Sequence, residues 1–255
     1  MVHEVAMEGF GAQAEVYERA RPSYPPEAVT WIADALGLGP GKRCVDLAAG
    51  TGKLTRLLVP SGADLVAVEP VAGMRSQLVG TCPEVPVVAG TAEHLPVADD
   101  SLDAVTIAQA FHWFDHEAAT AELRRALRVG GGLGLLWNAR DRSVDWVDRL
   151  WTIMDRVEKR APWRDHDEWR ESAYTERRGF SPMQVCQFTH THELASADVV
   201  ARVASVSHVA VLDDGARQAV LDEVVELLET DPQTSGRNRH AIPYRVDAMW
   251  CRRID

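Results

Sequence analysis

The sequence predicts an α/β fold, a mostly parallel seven-stranded sheet with helices on both faces and a helical insertion after strand five. Two observations carry this. Short runs rich in Val and Leu alternate with longer segments whose apolar residues recur at helical spacing, the pattern of parallel strands joined by crossover helices. A strand that carries an acid, Arg43 to Leu47, also runs into a glycine-bearing loop, Ala48 to Gly52, before a helix begins.

The elements follow in order. After an N-terminal helical region, residues 1–40, the turn Pro40-Gly41 leads into strand one. Leu54, Leu57 and Leu58 fall at i, i+3 and i+4 of a helix that Pro60 and Gly62 end. Strand two is Asp64 to Glu69, strand three Val85 to Ala89 and strand four Leu102 to Ala108, each a short apolar run bounded by turn residues. Ala119, Leu123, Ala126 and Leu127 mark one face of a helix for which Gly130-Gly131-Gly132 is the expected stop, and strand five is Leu133 to Trp137. From Asp141 to Gly179 the chain is crowded with charge and carries Trp146, Trp151, Trp163 and Trp169. Trp146, Leu150, Ile153, Met154 and Val157 have helical spacing there, so residues 141–180 are expected to form a lid. A strand near Met183 to Phe188, a helical segment around Asp198 to Ser207, an amphipathic helix bearing Val220, Val224, Leu227 and Leu228, and a last strand from Tyr244 to Cys251 complete the sheet.

Composition narrows the partners. A chain of 255 residues is long enough to bury a core without disulfides or metal, so one domain is expected. Its 38 acidic and 27 basic residues give a net charge of -11, which repels a polyanion and disfavours a nucleic-acid partner. Cys44, Cys82, Cys186 and Cys251 form no Cys-x-x-Cys pair, and Cys44 and Cys186 sit in strand-like runs as small buried thiols. Met1 to Gly11 has neither a basic leader nor an apolar run, and no stretch is long and apolar enough for a membrane span. The expected location is the cytoplasm, with no membrane partner.

The chemistry concentrates in Val45-Asp46-Leu47-Ala48-Ala49-Gly50-Thr51-Gly52. A strand running through Gly-x-Gly into a helix brings backbone amides and a helix N-terminus against a nucleotide-like ligand. Glu69, ending strand two, stands where a carboxylate accepts hydrogen bonds from both ribose hydroxyls; the plainer reading is a solvated strand-end acid. A dinucleotide fingerprint would place its third glycine at position 55, where this chain has Thr55, and no Tyr-x-x-x-Lys donor set accompanies it. That counts against an NAD(P)-dependent oxidoreductase.

Several collinear motifs then coincide: Tyr17 to Pro25 (YERARPSYP), Val45 to Thr55 (VDLAAGTGKLT), Val68-Glu69-Pro70 with Met74, Gly90-Thr91-Ala92-Glu93 with Leu95-Pro96, and Ala108 to Phe114 (AQAFHWF). With them the chain resembles the class I S-adenosylmethionine-dependent methyltransferases, within them the small-molecule branch that includes trans-aconitate and ubiquinone/menaquinone methyltransferases. The resemblance implies a Rossmann-like sheet and transfer of a methyl group from S-adenosyl-L-methionine to a small organic acceptor by in-line displacement, leaving S-adenosyl-L-homocysteine. It implies that Asp46, Ala48, Gly50 and Gly52 hold the methionine moiety, Glu69 the ribose, Met74 one adenine face, and Ala92 and Glu93 the adenine edge, with Pro70 and Thr91 also among the cofactor-binding residues. Gln109 would lie near the sulfonium, and Tyr17, Arg21 and Tyr24 would close over the cofactor from the N-terminal helices of residues 1–40. Families that methylate exocyclic nitrogens of nucleic acid carry Asn/Asp-Pro-Pro-aromatic after strand four, whereas this chain has Gln109-Ala110-Phe111-His112. A protein that keeps the cofactor fold without transfer activity is the remaining alternative, against which the intact motifs argue.

His112 is the candidate catalytic residue, as general base or acceptor contact; its structural reading is packing beside Trp113. With Trp113, Trp137 and Asn138 it would form the acceptor site at the strand-four and strand-five ends, under the lid. His190 and His192 point to one side of a strand but lack a third ligand at recognisable spacing, so no metal site is expected. The lid tryptophans read first as packing, and Arg177-Arg178 as a solvated pair.

Overall fold

A computed structural model of the chain describes residues 18–158 and 178–255. The sheet order is β3-β2-β1-β4-β5-β7-β6, with β1 Arg43–Leu47, β2 Asp64–Val68, β3 Val87–Val88, β4 Leu102–Ala108, β5 Leu127–Arg140, β6 Gln184–Ala195 and β7 Arg239–Arg252. Strands β1 to β5 pair in parallel, while β7 runs antiparallel to both β5 and β6. The expected mostly parallel seven-stranded sheet is therefore present, and the strand order reverses between β1 and β4.

Alternation along the strands builds a core on each face. Val45 and Leu47 of β1 and Val105 and Ile107 of β4 point to the side covered by helix α4, His116–Ala126, through Ala119, Leu123 and Ala126. Cys44 and Ala104 point the other way, to α1, Pro26–Leu36, α2, Thr55–Leu58, and α3, Ala72–Thr81. Helix α2 is short because Pro60 sits in a following 3-10 turn that Gly62 ends at φ 74°. Asp115 caps α4 by accepting from the amides of Glu117 and Ala118.

Helix α4 ends at Ala126, and Gly130 to Gly132 lie inside β5 rather than acting as a helix stop. The glycines serve the strand. Gly130 takes φ 78° where the β4–β5 register shifts, and a Cβ on Gly132 would meet Leu36 Cδ2 at 2.5 Å. Bare backbone there lets α1 lie against the sheet. Strand β6 runs well past Phe188 to Ala195, because its second half is a polar edge of Thr, His and Glu without the apolar alternation that marks a strand. Cys186, expected to be buried, is only half-buried on that edge strand, whereas the other three thiols are buried.

A third core lies over the carboxyl ends of the parallel strands. Helix α5, Asp145–Val157, buries Trp146, Val147, Leu150, Trp151, Ile153 and Met154, as its spacing predicts. These pack with Val199 and Val203 of α6, Ser196–Ala204, with Val209 of α7, Ser207–Ala210, and with Val220, Val224 and Leu228 of α8, Asp214–Thr230. The cap is thus assembled from two stretches of chain, not from 141–180 alone. Phe180 already belongs to the sheet core and Arg178 donates to the His116 carbonyl, so the latter is not a solvated side chain. Trp163, Trp169 and Arg177 lie outside the described residues. No described helix is long and apolar enough to cross a membrane.

Candidate functional site

A cavity of about 790 Å³ opens at the carboxyl ends of β1, β2, β4 and β5, beneath the cap. That position, beside the reversal of strand order, is where open α/β sheets bind ligands. Its floor begins with the loop after β1. Ala48, Gly50 and Gly52 all take positive φ, at 53°, 59° and 85°. Gly50 lines the cavity, and no atom lies within 4 Å of where its Cβ would stand. Gly52 is not among the residues lining it; a Cβ there would meet Leu78 Cγ at 2.9 Å, so this glycine lets α3 approach the loop.

The acids beside the loop are placed by short networks. Glu69 is buried, and its two carboxylate oxygens accept from the amides of Gly50 at 2.9 Å and Val71 at 2.8 Å. Burial pushes its carboxyl up while those two amides oppose the shift. It is no solvated strand-end acid. Asp46 is buried too, accepting from Thr55 Oγ1 at 2.5 Å and Thr106 Oγ1 at 2.9 Å, and burial pushes its carboxyl up to about 6. Thr55, at the third-glycine position, is buried and holds Asp46.

Met74, Pro70, Thr91, Ala92 and Glu93 line the same cavity, with Met74 and Ala92 buried. The N-terminal strap reaches it through Arg21, Pro22 and Tyr24. Glu18 ties that strap to the glycine loop by bonding the Thr51 hydroxyl and pairing with Arg56 at 2.6 Å and Lys53 at 3.5 Å. Within residues 1–40 only this strap meets the cavity among the described residues, since α1 packs on the sheet face against β5 and β7. Tyr17 lies outside the described residues.

On the far side stand Gln109, His112, Trp113, Trp137 and Asn138. Gln109 takes φ 58°, directly after β4, and its amide donates to the Asn138 carbonyl at 3.3 Å. The His112 ring lies 4.7 Å from Trp113 and 4.8 Å from Trp137, so packing and a cavity-facing role coexist. Asn138 is drawn into the scaffold, its amide bonding the Ser23 carbonyl at 3.1 Å and His190 Nε2 at 3.0 Å.

Sequence reasoning missed the cap side of the cavity, where Arg140, Arg142, Asp155, Glu158, Arg202, His208, Tyr244 and Arg245 line the wall. Arg140 and Arg142 both pair with Asp155, Arg245 pairs with Asp247 at 3.0 Å, and Glu158 lies 3.3 Å from His208. Burial first, then the charges of Lys53 and Arg202, push the His192 imidazole down to about 4. Among the described residues no three His, Cys, Asp or Glu gather as a metal site would require.

Residues 45–135 match the family described as a methyltransferase domain. An uncharacterized methyltransferase of Mycobacterium tuberculosis is 41% identical over 92% of this chain and 91% of its own length. A methyltransferase-like protein of Schizosaccharomyces pombe is 30% identical over 98% of this chain and 97% of its own. Among solved structures, a putative type II methyltransferase from Anaeromyxobacter dehalogenans shares the fold at TM-score 0.68 and 23% identity, covering 92% of this chain and 98% of that one.

Proposed function

This chain belongs to the class I S-adenosylmethionine-dependent methyltransferases, and from that membership we propose that it transfers the methyl group of S-adenosyl-L-methionine to a small organic acceptor by in-line displacement without a metal. The observation that carries the cofactor side is Glu69, whose buried carboxylate is fixed by two backbone amides beside the open space over Gly50. Each of its oxygens keeps a lone pair for a ribose hydroxyl. The flat apolar wall of Met74, Pro70 and Ala92 suits an adenine ring, with Thr91 and Glu93 at its edge. Asp46, Ala48 and Gly50 face the methionine moiety, and Arg21 and Tyr24 cover it. Gly52 supports the loop from behind.

When bound, the cofactor supplies an electrophilic methyl group on a sulfonium. The residues of this chain then orient the acceptor, exclude water and, where the acceptor carries a proton, receive it. His112 Nε2 or Nδ1 is the site for that proton, at the cavity wall between Trp113 and Trp137. Residues 141–158 and the helices α6 to α8 act as the lid, and a capped cavity of about 790 Å³ suits a small molecule better than a polymer.

Two measurements test this reading. Calorimetry should show S-adenosylhomocysteine binding, with Glu69→Ala weakening it by roughly 1–3 kcal/mol through lost charged hydrogen bonds. Incubation with isotopically labelled methyl donor and a metabolite extract should label a small product. Stoichiometric NAD(P) in the purified protein, or label entering only RNA or DNA, would overturn it.

A further inference from the structure

Arg202 is a charged side chain with no counter-charge among the described residues. It sits on α6, is 6% exposed and lines the cavity. Its Nε and Nη1 atoms are buried with no hydrogen-bond acceptor, and it has no ion-pair partner among the described residues. A guanidinium does not shed its proton to escape burial, so one left unpaired among the described residues, in the wall of a cavity, is set to receive an anion there.

The neighbouring cations differ. Arg140 and Arg142 share Asp155, Arg245 has Asp247, and Lys53 has Glu18. Arg21 donates to the Ser205 carbonyl at 2.7 Å. Arg202 is instead held in place by an aromatic ring: its guanidinium lies 5.6 Å from the centroid of the fully buried Trp151, which Arg140 also approaches at 5.0 Å. The hydroxyl of Tyr244, buried and likewise without a hydrogen-bond partner among the described residues, borders the same cavity. Tyr244 is the register partner of Arg140 across β5 and β7. This cluster therefore stands at the β5–β7 end of the cavity, on the side of Trp137 and away from the Asp46–Glu69 corner.

We propose that Arg202, with the Tyr244 hydroxyl, binds a carboxylate of the methyl acceptor, so that the acceptor is an organic anion. The proposal rests on the methyltransferase reading above. A guanidinium fork matches the two oxygens of a carboxylate, and a phenol adds a third donor to one of them. Anchoring at the cap end leaves the rest of the acceptor to extend toward His112 and the methyl group.

The test uses the full chain saturated with S-adenosylhomocysteine, with acetate and benzoate as probes and acetamide and benzamide as controls, followed by thermal melting. Both carboxylates should raise the melting temperature saturably and the amides should not. Arg202→Met should abolish the carboxylate effect, keep S-adenosylhomocysteine affinity within twofold, and melt higher than the wild type when no ligand is present, because an unpaired buried charge has gone. The last readout separates a binding role from a structural one, since an arginine needed for packing on Trp151 would leave a less stable variant. An equal carboxylate shift in wild type and variant, no carboxylate shift in either, or a variant that melts lower than the wild type would overturn the proposal. A tenfold loss of S-adenosylhomocysteine affinity in Arg202→Met would also overturn it, by assigning the guanidinium to the cofactor. Failure of the wild type to bind S-adenosylhomocysteine at all, read before any probe is added, would remove the methyltransferase reading itself.

Discussion

Ala48 and Gln109 hold positive φ, at 53° and 58°, where β1 and β4 end at the cavity. Non-glycine residues in that region are strained, and such strain gathers where backbone must face a ligand. Neither residue type announces this in a sequence, so the two turns were legible only as a loop and a strand end. Gly50 was legible, because only glycine takes φ 59° freely with open space above it. Gly50→Val is expected to cost at least tenfold in S-adenosylhomocysteine affinity by calorimetry, while Gly50→Ala costs less; unchanged affinity in a folded Gly50→Val protein would place the ligand elsewhere. Asp46 gives a pH prediction. Its folded pKa, about 6, lies above the usual 3.8, so between those values the folded state holds a proton that the unfolded chain has released. Stability from this group is therefore lost as pH rises through that window, and the penalty of the buried charge is complete above it. Asp46→Asn removes the titration. Relative to wild type it should gain on the order of 2–3 kcal/mol in urea unfolding between pH 4 and pH 7, and identical pH profiles would refute the assignment. His112→Ala should lower turnover at least tenfold while leaving cofactor affinity within twofold, if the ring faces the acceptor; equal small effects would return it to packing between two tryptophans.

At the scale of elements, periodicity identified what is buried on one face and missed what is not. Helix α5 was readable from Trp146, Leu150, Ile153 and Met154, all of which the structure buries. Strand β6 was half readable, because an edge strand needs no apolar alternation, and β7 was readable from Tyr244 to Cys251 but not at its start from Arg239, where buried His240 breaks the apolar pattern. The glycines of β5 read as a stop because close packing by Leu36 is a tertiary fact, absent from the local pattern. The cap was readable as one helix and not as an assembly, since α5 meets α6, α7 and α8 only in three dimensions. That assembly makes the cap a cooperative unit with its own core. Leu150 is fully buried in the cap core, so Leu150→Ala should cost about 2–5 kcal/mol. Hydrogen exchange should show protection falling together in α5, α6 and α8, with β1, β2 and β4 unchanged. Loss spread evenly over sheet and cap would mean that the cap is no separate cooperative unit.

The whole molecule places a cap made from late sequence over a loop made from early sequence, and this division explains which half of the site the sequence disclosed. The residues proposed for the cofactor follow strands β1, β2, β3 and β4 in fixed order and keep a local signature. Arg140, Arg202 and Tyr244 come from a strand end, a cap helix and the antiparallel strand, and no spacing links them. The net charge of -11 does not contradict an anionic acceptor, because the acids on the cavity wall are already engaged. Asp46 accepts from two threonines, Glu69 from two amides, Glu93 from the Asp115 amide, Asp155 pairs with two arginines, and Glu158 faces His208. A hard divalent cation needs about six oxygen ligands and holds carboxylates in place of such partners. Binding Mg²⁺ here would require breaking several of these contacts at once, with Gln109, His112 and Trp113 offering little in exchange at the end of β4. Protein dialysed against EDTA should therefore methylate its acceptor at the rate of untreated protein, and added Mg²⁺ should change that rate by less than about twofold. Loss of activity in EDTA, restored by Mg²⁺ and not by Na⁺, would show that the carboxylates rearrange around a metal when the acceptor is bound.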